Sequence, residues 1–323
     1  MNNSVNIITE LCQNHLGDRA LLRKMVEEVA STGAQYCKIQ SMQVADLTFR
    51  KRFETGISDK DGNITTIKRP YKQEYERLAP LDLSDDDHKY FIDICHKNNV
   101  LPMTTAFTRK RVEFLASLDW GHKNIKIASF DCKSKPLLKD LVDAGFEHLI
   151  ISTGSTFDEE IAETAMFLSE LKCRFTFLHC VSVYPTPLKE GHTDRIEYLR
   201  SFTDSVGFSE HSNYELDGLK LSTMALDRNI DWIERHFTSV DKSKTRDGPV
   251  SLNKAQLKEL VALTKLSNEQ LKDHISKNIT LEEQKSITGN QSRSLSPVEL
   301  LNRDYYHGRF ANITGDSIAY NWE

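Results

Sequence analysis

Short apolar runs alternate along the chain with longer stretches whose apolar residues recur at helical spacing. "VNIIT" (5–9) reads as a strand, and "GDRALLRKMVEEVASTG" (17–33) as a helix with Leu21, Leu22, Met25, Val26 and Val29 on one face, stopped by Gly33. The same alternation predicts strands at 34–40, 100–105, 124–129, 148–153, 175–180, 205–210 and 229–235. Helices are predicted at 84–98, 108–118, 135–144, 157–171, about 193–201, 214–228 and about 253–275. Strands that alternate with helices imply a parallel sheet. Eight such units fit an α/β architecture of the closed (β/α)8 TIM-barrel type better than an open doubly wound sheet. Neither G-x-G-x-x-G after the first strand nor G-x-x-x-x-G-K-[ST] occurs, which removes support for nucleotide-binding versions of the open sheet.

Two regions interrupt the rhythm. Residues 41–82 form a long polar insertion without strong periodicity, the kind of loop that is functional or mobile in a compact domain. Beyond residue 275 the composition turns polar, so 1–275 is expected to be the barrel and 276–323 an appendage too small for a second domain.

Composition narrows the class. The 323 residues are 39% hydrophobic and 28% charged, enough for a core and a soluble surface. A net charge of −5 gives no general attraction to nucleic acid or to anionic membranes. No apolar run approaches the ~20 residues that span a bilayer. The start "MNNSVNIITELCQ" shows no basic segment followed by an apolar core, so no secretory leader is expected. The six cysteines include no C-x-x-C pair and lie mostly in apolar runs, which predicts reduced thiols in a cytoplasmic protein.

Active sites of such barrels gather at the C-terminal ends of the strands. The residues expected there are Glu10, Gln13, Asn14 and His15; Lys38 and Gln40; Thr104 and Thr105; Lys126, Ser129 and Asp131; Ser152, Thr153 and Gly154; His179, Ser182 and Tyr184; Ser209, Glu210 and His211; and Glu234, Arg235, His236 and Thr238. Two lysines inside strands need either an anionic ligand or barrel carboxylates such as Glu10 or Glu234. The many hydroxyls on the same rim favour a phosphate or carboxylate pocket. His211 and His236 come from adjacent strand ends and can hold a divalent metal, although by spacing alone such a pair more often serves structural or acid–base roles. "YPTP" (184–187) is a rigid turn that presents Tyr184 to a ligand if its ring faces inward.

With these residues in place, "ITELCQNHLGD", "KIQ", "KIASFD", "ISTG", "LHCVSVYPTP", "GFSEHS" and "ERHFT" stand in the order seen in the sialic acid (N-acetylneuraminate) synthase family, which the chain resembles over about residues 5–275. That resemblance implies a metal-dependent, C–C bond-forming transferase that condenses phosphoenolpyruvate with an open-chain aldose such as N-acetylmannosamine. The products would be a 2-keto-3-deoxy sugar acid and phosphate. It implies that Lys38, Thr105, Lys126, Ser129, Ser152, Tyr184 and Ser209 surround phosphoenolpyruvate. His211 and His236 would hold a divalent cation, typically manganese (Mn2+), with Mg2+ or Co2+ as alternatives. Asp131 stands where the family commonly has a sugar-contacting glutamate, and Asp247 falls near its sugar-binding aspartate, though the order of Asp, Gly and Pro differs there. A homodimer is also implied.

Departures from the pattern matter. Ser182 replaces a common asparagine. Typical members carry a C-terminal antifreeze-like domain that gives an arginine to the sugar, and residues 276–323 are too few for it. Either "YYHGRF" folds over the barrel mouth, with Arg309 or Arg303 in the missing role, or the tail packs on the exterior. Two other readings stay open: the same chemistry on another aldose lined by "KRFE" and "IKRPY" of the insertion, whose basic residues suit an acidic sugar, and a barrel that binds sugar without turnover.

Overall fold

The structure is a computed structural model that describes residues 5–323. Eight parallel strands close a barrel: β1 (Asn6–Glu10), β2 (Tyr36–Ser41), β3 (Leu101–Ala106), β4 (Asn124–Ile127), β5 (His148–Ser152), β6 (Arg174–Cys180), β7 (Val206–Glu210) and β8 (Trp232–Phe237). Each pairs with the next, and β8 returns to β1 with Asn6 opposite Trp232 and Glu10 opposite His236. The α/β (β/α)8 TIM barrel expected from the strand–helix rhythm is the observed fold.

Side chains alternate across each strand, so every second residue enters the barrel. Ile8, Tyr36, Met103, Ile150, Leu178 and Trp232 form one apolar layer inside. One step further along the strands, Glu10, Lys38, Thr105, Ser152, Cys180, Ser209 and Glu234 face the mouth. The other face of the strands carries Ile7, Ile39, Ile125, Leu149, Phe177, Phe208 and Ile233 against the helices.

The enclosing helices are α1 (Arg19–Ala30), α2 (Asp85–Lys97), α3 (Val112–Ala116), α4 (Lys135–Asp143), α5 (Asp158–Glu170), α6 (Arg195–Arg200), α7 (Lys220–Leu226) and α8 (Lys254–Leu263). Their starts follow capping chemistry: Asp18 accepts from the Ala20 and Leu21 amides, and Ser84 forms a reciprocal box with Asp87. The helix expected over 214–228 is broken. Gly218 takes φ 59, separating Tyr214–Asp217 from α7. The helix expected over 253–275 likewise ends at Leu263, and a second helix, α9 (Asn268–Asn278), restarts at the Ser267 cap.

Both irregular regions are more ordered than their composition suggests. The insertion contains a hairpin (Ile57–Ser58 with Ile64–Thr66) and a helix, Tyr71–Leu78. The tail adds α10 (Leu281–Thr288) and α11 (Pro297–Tyr306). Ile279 and Ile287 join the main apolar core, which fastens the early tail to the barrel flank. The later tail crosses toward the insertion: Phe310 packs with Met42, Val44, Leu47 and Leu78, and Thr48 donates to the carbonyls of Gly308 and Arg309. Arg50 donates to the Tyr305 and His307 carbonyls from the other side.

Candidate active site

The mouth of the barrel opens into a cavity of about 530 Å³. Its floor is a compact charged network. Lys38 Nζ contacts the Glu10 carboxylate, Thr105 Oγ1 at 2.8 Å and Glu234 Oε1 at 3.3 Å. Lys126 Nζ lies 2.6 Å from Ser152 Oγ and 3.5 Å from Glu234 Oε2. Ser209 donates to Glu234 at 2.7 Å. The lysines therefore meet both barrel carboxylates named as their alternative partners while still facing the cavity.

The network fixes protonation. Burial would raise the Glu234 carboxyl, but Lys126, Lys38 and the Ser209 hydroxyl overcome it and hold the group well below the ordinary carboxylate range. Burial draws Lys38 down to about 8; Glu234 opposes this and Lys126 adds to it. A cationic site so loosely neutralised gains from an anion that meets both ammonium groups.

Next to the lysines, Gly154 donates its N–H to Ser129 Oγ at 3.1 Å. A Cβ on Gly154 would lie 2.4 Å from Ser182 Oγ and 2.9 Å from both Cys180 Sγ and Ser129 Oγ, so only glycine fits this rim. The buried Ser182 Oγ has no partner among the described residues. Ser182 does not itself line the cavity, but its carbonyl accepts from Asn302 of α11, which does.

Further round the rim, past Cys180, the imidazoles of His211 and His236 stand 5.1 Å apart, and Tyr184 packs edge-on to His211 at 4.3 Å. Burial lowers both histidine pKa values. His236 depresses His211 further, whereas Asp247 partly opposes the effect at His236. Both rings are neutral near pH 7, the state that ligates metal. His236 Nδ1 is buried without a partner among the described residues, and His236, Cys12 and Asp247 offer ligand atoms within 4.8 Å of one another. These donors fit a divalent cation.

Glu234 and Arg235 lie on opposite faces of β8. Glu234 joins the lysines inside, while fully buried Arg235 pairs with Glu210 on the helix side. Ser222 of α7 donates to Glu210 at 2.6 Å and completes this structural network. His179 also points outward, 2.8 Å from the Gly191 carbonyl, and Asn14 donates to the Phe237 carbonyl at 2.8 Å. These expected rim residues hold the fold rather than the cavity.

Asp131 is the main correction. It does not line the cavity; its carboxylate accepts from Ser134 Oγ and Asn321 Nδ2, both at 3.0 Å. The short turn Ser129–Asp131 follows β4 and directs Asp131 toward the C-terminal tail. Arg303 is likewise outside: it binds Glu160 and the Ser155 carbonyl. Arg309 lines the cavity together with Val298, Asn302 and Tyr306. Tyr306 stacks on Phe130 at 4.9 Å. The tail thus roofs the mouth.

Sequence reasoning overlooked Cys12, Arg77, Arg246 and Asn302, all of which line the cavity, whereas Arg69 of "IKRPY" and Tyr306 of "YYHGRF" lie in stretches expected at the mouth and do line it. Arg246 was adjacent to Asp247 and Cys12 to a strand end, so proximity offered a signal for those two. Arg69 and Arg77 sit in the insertion, where no periodicity indicated a facing direction. Arg77, Arg309 and Arg246 surround Glu74; burial alone would raise its carboxyl, but these cations hold it at about 2.

Comparison with known proteins agrees with this architecture. The model of the NeuB family matches residues 25–276. An N,N'-diacetyllegionaminic acid synthase of Campylobacter jejuni is 29% identical over 87% of this chain and 81% of its own length. An N-acetylneuraminate-9-phosphate synthase of Drosophila melanogaster is 30% identical over 80% of this chain and 66% of its own. The crystal structure of an N-acetylneuraminic acid synthetase from Leptospira borgpetersenii, in complex with citrate, superposes with a TM-score of 0.69 at 26% identity, covering 88% of this chain and 91% of that one. A barrel whose strand ends assemble buried lysines, hydroxyls and paired histidines, and whose sequence matches over most of its length, belongs to the NeuB family and is a synthase.

Proposed function

We propose that the protein condenses phosphoenolpyruvate with an open-chain aldose of the N-acetylmannosamine type, giving a 2-keto-3-deoxy sugar acid of the sialic acid class and phosphate. The observation that carries this reading is the convergence of Lys38 and Lys126 on a hydroxyl-lined floor beside two neutral histidines.

Lys38 and Lys126 neutralise the anionic groups of phosphoenolpyruvate, with Thr105, Ser129, Ser152, Ser209 and the Gly154 rim fixing its orientation. The C3 carbon then attacks the aldehyde carbon, water adds at C2, and the tetrahedral adduct loses phosphate. The lysines compensate charge that moves from the enol phosphate to the departing phosphate. His211 and His236 would hold the divalent cation, Mn2+ in the first instance, which polarises the aldehyde oxygen when bound. Asp131 has no contact with the cavity and is left out of the reaction. Tyr184 is 43% exposed and projects from the cis-proline turn into the mouth, where it can stack on substrate.

A second reading changes only the acceptor. Arg69, Arg77, Arg246 and Arg309 around the mouth favour an aldose that carries an acidic group. Phosphate release from phosphoenolpyruvate with Mn2+, measured across neutral, phosphorylated and carboxylated aldoses, tests both. Turnover with N-acetylmannosamine supports the first reading, turnover only with an acidic aldose supports the second, and none with any aldose overturns both. Free thiols at all six cysteines support a cytoplasmic setting. The proposal includes a homodimer, which sedimentation analysis would test.

A further inference from the structure

Cys12 opens the turn that leaves β1, two residues beyond Glu10. It takes φ 47, a left-handed conformation that costs a non-glycine residue about 1 kcal/mol. Such an outlier at a cavity wall marks a place where the side chain has a task. Its thiol donates to Asp247 Oδ2 at 2.8 Å. A ring nitrogen of His236 lies within 4.8 Å of both groups. His236 is only 8% exposed and its Nδ1 has no partner among the described residues.

We propose that Cys12 and Asp247 join His236 and His211 as cation ligands, giving this chain a sulfur-containing site that selects a thiophilic divalent ion. The inference rests on the cation included in the proposed function and specifies its ligands. It moves Asp247 from the sugar to the metal, and Cys12 from inert packing to ligation. On binding, the Cys12 S–H bond breaks, its proton leaves to solvent and the sulfur lone pair coordinates the ion. The hydrogen bond to Asp247 is replaced by shared coordination. Sulfur, imidazole and carboxylate together suit Zn2+, Co2+ or Fe2+ better than Mg2+, whose preferred ligands are all oxygen.

The test uses the full chain, stripped by chelation and titrated with Co2+ while its absorption is recorded. Co2+ bound through Cys12 gives a near-ultraviolet thiolate charge-transfer band in addition to the visible ligand-field bands. Cys12→Gly relaxes the left-handed backbone, so the fold survives; the ultraviolet band should vanish while weaker visible absorption persists. Co2+ affinity should fall roughly tenfold or more, as metal sites do even when an outer partner is lost. Cys180 also lies near the site, its Sγ 3.9 Å from His211 Nδ1, so Cys180→Ser serves as the control and should retain the band. Visible absorption without the ultraviolet band in the native protein would overturn the proposal and leave a sulfur-free cation site intact. A band that survives Cys12→Gly but not Cys180→Ser would also overturn it. No Co2+ absorption of any kind would overturn both this inference and the cation in the proposed function.

Discussion

Arg309, near the C-terminus, pairs with Glu74 of the insertion helix across the mouth of the barrel. The two regions that lacked periodicity thereby hold each other over the cavity. Arg77 binds the same carboxylate at 2.9 Å and reaches Gln13 Oε1 at 2.7 Å, linking the roof to the loop after β1.

This placement makes Arg309 a candidate contact for the acceptor sugar. Arg309→Ala should raise KM for the aldose about 10- to 100-fold, the effect of losing a charged hydrogen bond of about 1.5–3 kcal/mol. KM for phosphoenolpyruvate should change little, because the lysine floor is untouched. Steady-state kinetics with each substrate varied in turn checks the split; an unchanged sugar KM would remove Arg309 from acceptor recognition.

Gly154 makes a steric prediction. Its Cβ in Gly154→Ala would collide with Ser182, Cys180 and Ser129. Overpacking of this kind costs about 1–3 kcal/mol. The distortion falls on the rim proposed to hold phosphoenolpyruvate, so KM for phosphoenolpyruvate should rise as stability falls. Wild-type affinity for phosphoenolpyruvate in calorimetry would contradict the rim assignment.

Glu234 holds two buried ammonium groups, so its loss should be felt in the fold before any chemistry. Glu234→Ala leaves Lys126 without a carboxylate and weakens the neutralisation of Lys38. Breaking a buried pair in this way costs about 3–5 kcal/mol. Denaturant unfolding measures it, and added phosphate should restore part of the loss by meeting the exposed cations.

Asp131 gives a pH signature although it sits outside the cavity. Burial pushes its carboxyl up from 3.8 to about 6, with Asn321 and Ser134 opposing. An acid whose pKa is higher in the folded state binds its proton more tightly there. Its stabilising contribution is complete below the unfolded pKa and is lost as pH rises through about 6. Asp131→Asn should therefore be more stable than the native protein above that range, by on the order of 2 kcal/mol, and should lack the decline. Unfolding free energies measured on both sides of the transition decide it; parallel curves for the two proteins would show that the native carboxyl stays ionised.

Local periodicity was sufficient for the barrel. Strands such as "HLIIS" and helices such as "RALLRKMVEEVA" carry their own spacing, and each strand–helix unit needs only its neighbours to bury its apolar face. The polar strand ends were legible for the same reason: a lysine at position 38 or 126 within an apolar run has few places to go except a charged floor. The two breaks, at Gly218 and before Ser267, were missed because apolar spacing continues across them while backbone geometry does not.

Sequence by itself determined the strand order, the floor lysines, the hydroxyl rim and the two histidines, because one strand's alternation decides which way each side chain points. Tertiary structure alone decided what covers that floor. Asp131 turns away toward Asn321, Arg309 comes in from far along the chain to meet Glu74, and Cys12 reaches Asp247 across 235 positions. Contacts of that range depend on how loops without repeating patterns fold over a finished barrel. No local spacing encodes them.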